Sequence, residues 1–194
     1  MADLLRKLAL ALFGDYSIFF IYSLSGGTQP TDGAEPDTTF DFREVDQRVA
    51  SASSDPSIQS QLQYFGSEAF AFACLKEARI IGLCIYWVGD RYRQRNFWPL
   101  ADDEAKLVQI VTLPEMRGQG VAAMLIRRSS QAMAGRGFKT LYARIWHSNK
   151  PSWRAFARAG WKRVALAVEL HPLPRRRRLR VYLGRQPRGR RSDR

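Results

Sequence analysis

An apolar extended segment at 106–113 runs through Pro114, Glu115 and Met116 into Arg117-Gly118-Gln119-Gly120-Val121-Ala122, and a helix-forming segment continues to Ala134. This junction constrains the fold more than any other stretch of the chain. Two glycines and a small residue let the backbone approach a ligand where side chains would obstruct it. The first turn of a helix carries four N–H groups without internal partners, and the helix dipole adds positive potential there. A strand-to-helix bend of this kind is an anion site suited to phosphate.

Periodicity and turn signals place the other elements around it. A helix-like, amphipathic segment spans 3–13, and an aromatic-rich strand spans 16–24. Gly, Pro, Asp and Thr make 25–39 a loop. Short helices are expected within 42–65, around Val45, Val49, Ile58 and Leu62. Two strands, 69–75 and 79–88, are joined by a tight turn at 76–78, and 89–103 reads as a loop. A strand at 106–113, a helix at 119–135 and a strand at 139–146 form a parallel crossover unit. A helix at 151–159 and strands at 161–169 and 177–183 complete the pattern.

With 194 residues and 45% apolar content, the chain can bury a real core, and a single domain over 1–183 is expected. The formal charge is +13, but it is concentrated late: from His171 onward ten arginines face one acid. The segment 184–194 therefore reads as an Arg-rich, mobile tail. Gly14 and Asp15 interrupt the early apolar run, which falls short of the ~18–20 residues that span a bilayer. Membrane contact is not expected. Cys74 and Cys84 form no paired framework, which suits a reducing cytoplasm. Two distant histidines leave little for a zinc site, so no metal is expected.

Three phosphate-binding patterns compete for the glycine motif. Gly118-Gln119-Gly120-Val121-Ala122-Ala123 formally fits a dinucleotide fingerprint. That fingerprint follows its strand directly and needs an acidic ribose partner about twenty residues on, and neither condition holds. The nucleoside-triphosphate loop needs G-x-x-x-x-G-K-[ST], which is absent. The stretch Val111-Thr112-Leu113-Pro114-Glu115-Met116-Arg117-Gly118-Gln119-Gly120-Val121-Ala122 resembles the GNAT superfamily of coenzyme-A-dependent N-acyltransferases, through Arg117, Gly120 and Ala122. A second segment is similar too: Asn149, then Ser152, Phe156 and Gly160-Trp161.

The resemblance implies an α/β fold with a mixed sheet and a central splayed parallel strand pair, with the coenzyme core at about 106–161. It implies acetyl-CoA as cosubstrate. The pantetheine arm would pair with exposed backbone at Val111, Thr112 and Leu113. The pyrophosphate would rest on the amides of Gly118, Gln119, Gly120, Val121 and Ala122, with Arg117 adding charge. Asn149 would hold the arm from the opposite side, although ahead of Pro151 it also suits a helix N-cap.

The implied reaction is direct attack of a primary amine on a thioester, the acceptor being an amino sugar, amino acid or small amine. The base is not legible: the usual acidic strand position holds Lys106, Leu107 or Gln109, and Glu115 lies beyond the strand. The usual tyrosine acid is replaced by Phe156, leaving Ser152 or Tyr142 as weak catalytic candidates. Acceptor walls would come from Tyr64, Phe65, Tyr92, Phe97 and Trp98, residues that suit ordinary core packing equally. The tail supports a different class of function. A cationic segment can bind nucleic acid or an anionic polymer, which would make the chain a binding module on an inactive acyltransferase fold.

Overall fold

The computed structural model describes residues 15–25, 40–93, 97–171 and 179–184. In chain order its strands are β1 (Asp15–Ser25), β2 (Asp41–Glu44), β3 (Ala69–Lys76), β4 (Arg79–Trp87), β5 (Glu104–Thr112), β6 (Thr140–Trp146), β7 (Lys162–His171) and β8 (Leu179–Gly184). Its helices are α1 (Gln47–Ser51), α2 (Pro56–Gln59), α3 (Gly89–Arg93), α4 (Val121–Gly135) and α5 (Lys150–Arg158). The strands form one mixed sheet in the order β2-β3-β4-β5-β6-β1-β7-β8. Only the β5–β6 contact is parallel; the other strand pairs run antiparallel.

The apolar runs of β3 and β4 are nearly continuous because both sheet faces are covered there. They join through Glu77 and Ala78 at φ of 50° and 64°, between the paired residues Lys76 and Arg79. Two left-handed residues match the right-handed strand twist, so this tight hairpin forms without the usual glycine. On one face α4 buries Val121, Met124, Leu125, Ile126 and Met133, a stripe at helical spacing. Ser129 and Ser130 lie in the same stripe. The Tyr86 hydroxyl is 3.0 Å from Ser129 Oγ, and Trp161 Nε1 donates to Ser130 Oγ at 3.2 Å, so these buried hydroxyls are satisfied. Gly82 admits the helix start: a Cβ there would meet Val121 Cγ1 at 3.0 Å.

On the opposite face a second cluster joins Phe19, Ile21, Phe97, Trp98, Tyr142, Ala165 and Ala167. The loop expected at 89–103 therefore feeds aromatic side chains into a core.

Two elements differ from the sequence reading. β2 replaces part of the region expected to be helical, because Asp41–Glu44 pairs with Phe72–Leu75 of β3 and Phe42 stacks on Phe72 at 5.7 Å. Three charged residues in four give that strand no local apolar alternation. α3 forms at the start of the expected loop, where Glu68 accepts from the Arg91 amide at 2.8 Å. The expected helix 3–13, the expected loop 25–39 apart from Ser25, which ends β1, and the tail beyond Gly184 lie outside the described residues. Among the described residues no helix is long and apolar enough to cross a membrane.

Candidate functional site

A bulge opens the sheet. β4 and β5 pair from Gly82↔Thr112 to Ile85↔Gln109, then resume at Tyr86↔Leu107, leaving Val108 as the extra residue. The parallel pairing of β5 with β6 ends at the same point, at Leu107↔Ala143. An inserted residue bends its strand and increases local twist, so the bulge and the parting of the strands are one event. From Gln109 to Thr112, β5 keeps its β4 partner, and from Val108 to Thr112 it has none on the β6 side. Alternate backbone N–H and C=O groups of that stretch face the gap.

The gap continues into a cleft of about 680 Å³, within the range of small-molecule sites. One wall is Ile110, Val111 and Thr112 of β5. Its end is Arg117, Gly118 and Gly120 with the first turn of α4, and its far wall is Asn149 with one face of α5. Gly118 and Gly120 take φ of +80° and +82°, values that glycine adopts without steric cost. Gly120 is the N-cap of α4 and no side chain caps that helix. A Cβ built at either glycine meets nothing within 4 Å, so the loop borders open space. Thr112 Oγ1 is buried in the wall without a hydrogen-bond partner.

Charge in the cleft has one sign. Arg117, Arg154 and Arg158 line it, and among the described residues no Asp or Glu does. Arg154 and Arg158 escaped the sequence reading, although a four-residue spacing on a helix places both on one face. Uncapped amides, a helix N-terminus and three guanidinium groups together suit a multiply charged phosphate ligand.

The expected site residues divide. Val111, Thr112, Arg117, Gly118, Gly120, Val121, Ala122, Asn149 and Ser152 all border the cleft. Leu113 does not: it is fully buried, and its amide donates to Ile81 O at 3.0 Å. The free edge of β5 is therefore 108–112 rather than 111–113. Gln119 is exposed and donates to Glu115 O at 3.0 Å, away from the cleft. Asn149 caps α5, its Oδ1 accepting from the Ser152 amide at 3.2 Å, while also bordering the cleft. Tyr142 lies in the second cluster on the other face, where its hydroxyl donates to Glu104 at 3.3 Å. The structure thus removes Tyr142 from the cleft. Phe156 is 2% exposed and packs edge-on against Trp161 at 5.0 Å.

Tyr92, Phe97 and Trp98 are buried core residues rather than walls of an open pocket. Burial pushes the Tyr92 hydroxyl up to about 12, and that hydroxyl accepts from the Trp98 amide at 3.0 Å. Glu115 is exposed and ion-paired with Arg79 at 2.6 Å; its own backbone amide and Arg79 hold its pKa below the usual value. Lys106 is not a surface charge. It is 3% exposed, and burial with the neighbouring Arg144 and Arg180 lowers its pKa well below 10.5. Among the described residues no three His, Cys, Asp or Glu side chains gather as a metal site.

Known proteins share this architecture. An acetyltransferase of the GNAT family from Colwellia psychrerythraea is similar in structure at 16% identity and a TM-score of 0.58, over 87% of this chain and 61% of that one. A GCN5-related N-acetyltransferase from Sphaerobacter thermophilus is similar at 16% identity and a TM-score of 0.57, over 96% of this chain and 58% of that one. The chain thus spans about three-fifths of the length of these structures. No curated protein matches it in sequence. The model of the acetyltransferase (GNAT) family fits residues 37–161, which hold both the parted strands and the glycine bend between β5 and α4, and the chain belongs to that family.

Proposed function

We propose that this chain is an acetyl-CoA-dependent N-acetyltransferase acting on a primary amine of a small molecule: an amino sugar, an amino acid or a simple amine. One observation carries the reading. The unpaired edge of β5 leads to an uncapped helix start in a cleft whose charged lining, among the described residues, is entirely arginine.

The diphosphate and the pantetheine arm of acetyl-CoA each have a counterpart in the chain. The amides of Gly118, Gly120, Val121 and Ala122 would hold the pyrophosphate, with Arg117, Arg154 and Arg158 balancing the remaining charge. The free edge at 108–112 would pair with the amide groups of the pantetheine arm. Thr112 Oγ1, buried without a partner, would gain one from the arm. Asn149 borders the arm's other side with the oxygen lone pairs that its cap bond leaves unused. The coenzyme supplies an acyl group already activated as a thioester.

Holding amine and thioester together supplies much of the rate. A β5 amide facing the gap would stabilise the oxyanion as it forms. Phe156 has no proton to give the departing sulfur, but a thiol with pKa near ~8.5 leaves without much help. Ser152 borders the cleft and would be the hydroxyl left to give that sulfur a proton. The alternative of a binding module reliant on its Arg-rich tail rests on residues outside the described ones.

Calorimetry with acetyl-CoA tests the cleft, and a panel of amines (glucosamine, spermidine, benzylamine and the free amino acids) with free-thiol detection tests the reaction. Micromolar coenzyme binding and amine-dependent thiol release are expected. No heat on adding acetyl-CoA would contradict the cleft reading; binding without thiol release from any panel amine would contradict the reaction.

A further inference from the structure

Trp146 ends β6, three residues beyond Ala143, where the pairing with β5 stops; that is about 10 Å of strand past the fork. Its register partner is Phe19 of the second cluster, and the two rings meet at 4.4 Å. The indole therefore projects from the sheet face opposite α4. Arg144 lies over the Phe19 ring at 4.4 Å, which holds the backing of the indole in place. Among the described residues Trp146 is the one Phe, Tyr or Trp that stays exposed, at 49%.

The other rim of the gap, on the same face, carries Gln109. It pairs with Ile85, two residues from Trp87, whose partner Lys106 points at Phe97 and Tyr92. Gln109 Nε2 donates to Gln61 Oε1 at 2.6 Å, and Gln61 Nε2 donates in turn to Ser57 O at 3.0 Å. That chain fixes the amide and leaves the Gln109 carbonyl oxygen without a donor among the described residues. The free stretches of β5 and β6 contain no Asp or Glu, and β6 adds Arg144.

On the acetyl-transfer reading, the coenzyme fills the gap from the side of α4 and α5. An acceptor then reaches the thioester from the opposite face, between Trp146 and Gln109. An exposed indole face attracts a flat or ring-shaped body and the positive edge of an ammonium. A neutral amide oxygen takes one N–H donor. A polyamine brings further ammonium groups, and neither rim has a carboxylate to pair them.

We propose that Trp146 and Gln109 select the acceptor, a ring-bearing monoamine whose ring lies on the indole while its amine donates to the Gln109 carbonyl oxygen. This rests on the acetyl-transfer reading above and narrows its acceptor class. Amino sugars and arylalkyl amines share this chemistry, and glucosamine and benzylamine separate the two.

The test uses the full chain. One of glucosamine and benzylamine should be turned over faster than spermidine and the aliphatic amino acids. With that amine, Trp146→Ala should raise KM about five- to twentyfold and change kcat by less than about threefold. Trp146→Phe keeps a ring face and should stay within about threefold of the wild-type KM. Gln109→Met keeps the length, removes the oxygen, and should raise KM about five- to twentyfold. All three should bind acetyl-CoA within about twofold of wild type, as expected when only acceptor contacts are lost. A readout independent of folding in the variants is the indole 15N resonance of Trp146, assigned by its absence in Trp146→Phe. In wild-type protein saturated with CoA it should shift on adding the faster ring amine. An unshifted resonance, a wild-type KM in Trp146→Ala or Gln109→Met, or spermidine as the fastest amine overturns the proposal and leaves the coenzyme site standing. Lost acetyl-CoA affinity in Trp146→Ala places the indole against the coenzyme and overturns it too. Wild-type protein that fails to bind acetyl-CoA, or that acetylates no panel amine, overturns the acetyl-transfer reading, and this proposal falls with it.

Discussion

Gly118 and Gly120 are fixed by backbone conformation, not by crowding. Both have positive φ, and a Cβ at either would project into open space. Gly120→Ala should therefore cost about 1–2 kcal/mol of stability from left-handed strain, read by urea denaturation, with a modest loss of acetyl-CoA affinity. Gly120→Glu carries the same strain and adds a carboxylate at the phosphate cradle. Like charges about 4 Å apart at an effective dielectric of about 20 repel by about 4 kcal/mol, so affinity should fall at least about a hundredfold below that of the alanine variant. Equal affinities in the two variants would place the diphosphate elsewhere. At the same scale, Cys74 and Cys84 are free and fully buried, and burial pushes the Cys84 thiol up to about 12. Neither cysteine should react with an aromatic disulfide reagent at pH 8 until the protein is unfolded, and rapid native labelling would contradict this burial.

At the scale of elements, α5 depends on Asn149. Asn149→Ala removes the side-chain acceptor for the Ser152 amide and should cost about 1 kcal/mol in chemical denaturation. If Asn149 also holds the arm, coenzyme affinity should fall as well. Lost stability with unchanged affinity would leave it a cap alone.

The elements legible in the sequence are those whose signals are local. The apolar runs of β3 and β4, the glycine bend and the helix α4 all declare themselves by composition or spacing. β2 does not, because its three charged residues become a strand only by pairing with β3. The bulge at Val108 was equally silent: nothing in Leu107-Val108-Gln109 distinguishes a bulged from a regular strand, yet it sets where the free edge begins. For the same reason Leu113 looked available, whereas its amide is taken by Ile81, a partner on another strand. Nothing around Lys106 in the sequence announces its burial, which comes only when the fold brings Tyr92, Phe97, Arg144 and Arg180 around it. The arginines of α5 were findable from their spacing alone.

Across the whole molecule, the sheet divides its labour between two faces. One carries α4 and the cleft; the other buries Lys106 among aromatic rings. That lysine leaves a thermodynamic trace. Its folded pKa lies well below 10.5, so between the folded and unfolded values the unfolded chain binds the extra proton and stability rises with pH. Lys106→Met lacks this contribution. Its stability advantage over wild type should shrink as pH rises from 8 to 10, by up to about 1.4 kcal/mol per pH unit, in paired urea titrations. A pH-independent difference would mean that the lysine is charged in the folded protein.

The central claim is that the free edge of β5 and the start of α4 together hold acetyl-CoA. Hydrogen–deuterium exchange with and without the coenzyme reads both at once. Amides within 108–112 and 118–123 should exchange more slowly on binding, while those of β2 and β8 at the sheet's edges should not change. Coenzyme binding that leaves those two segments unprotected, or protects another surface instead, would contradict the account.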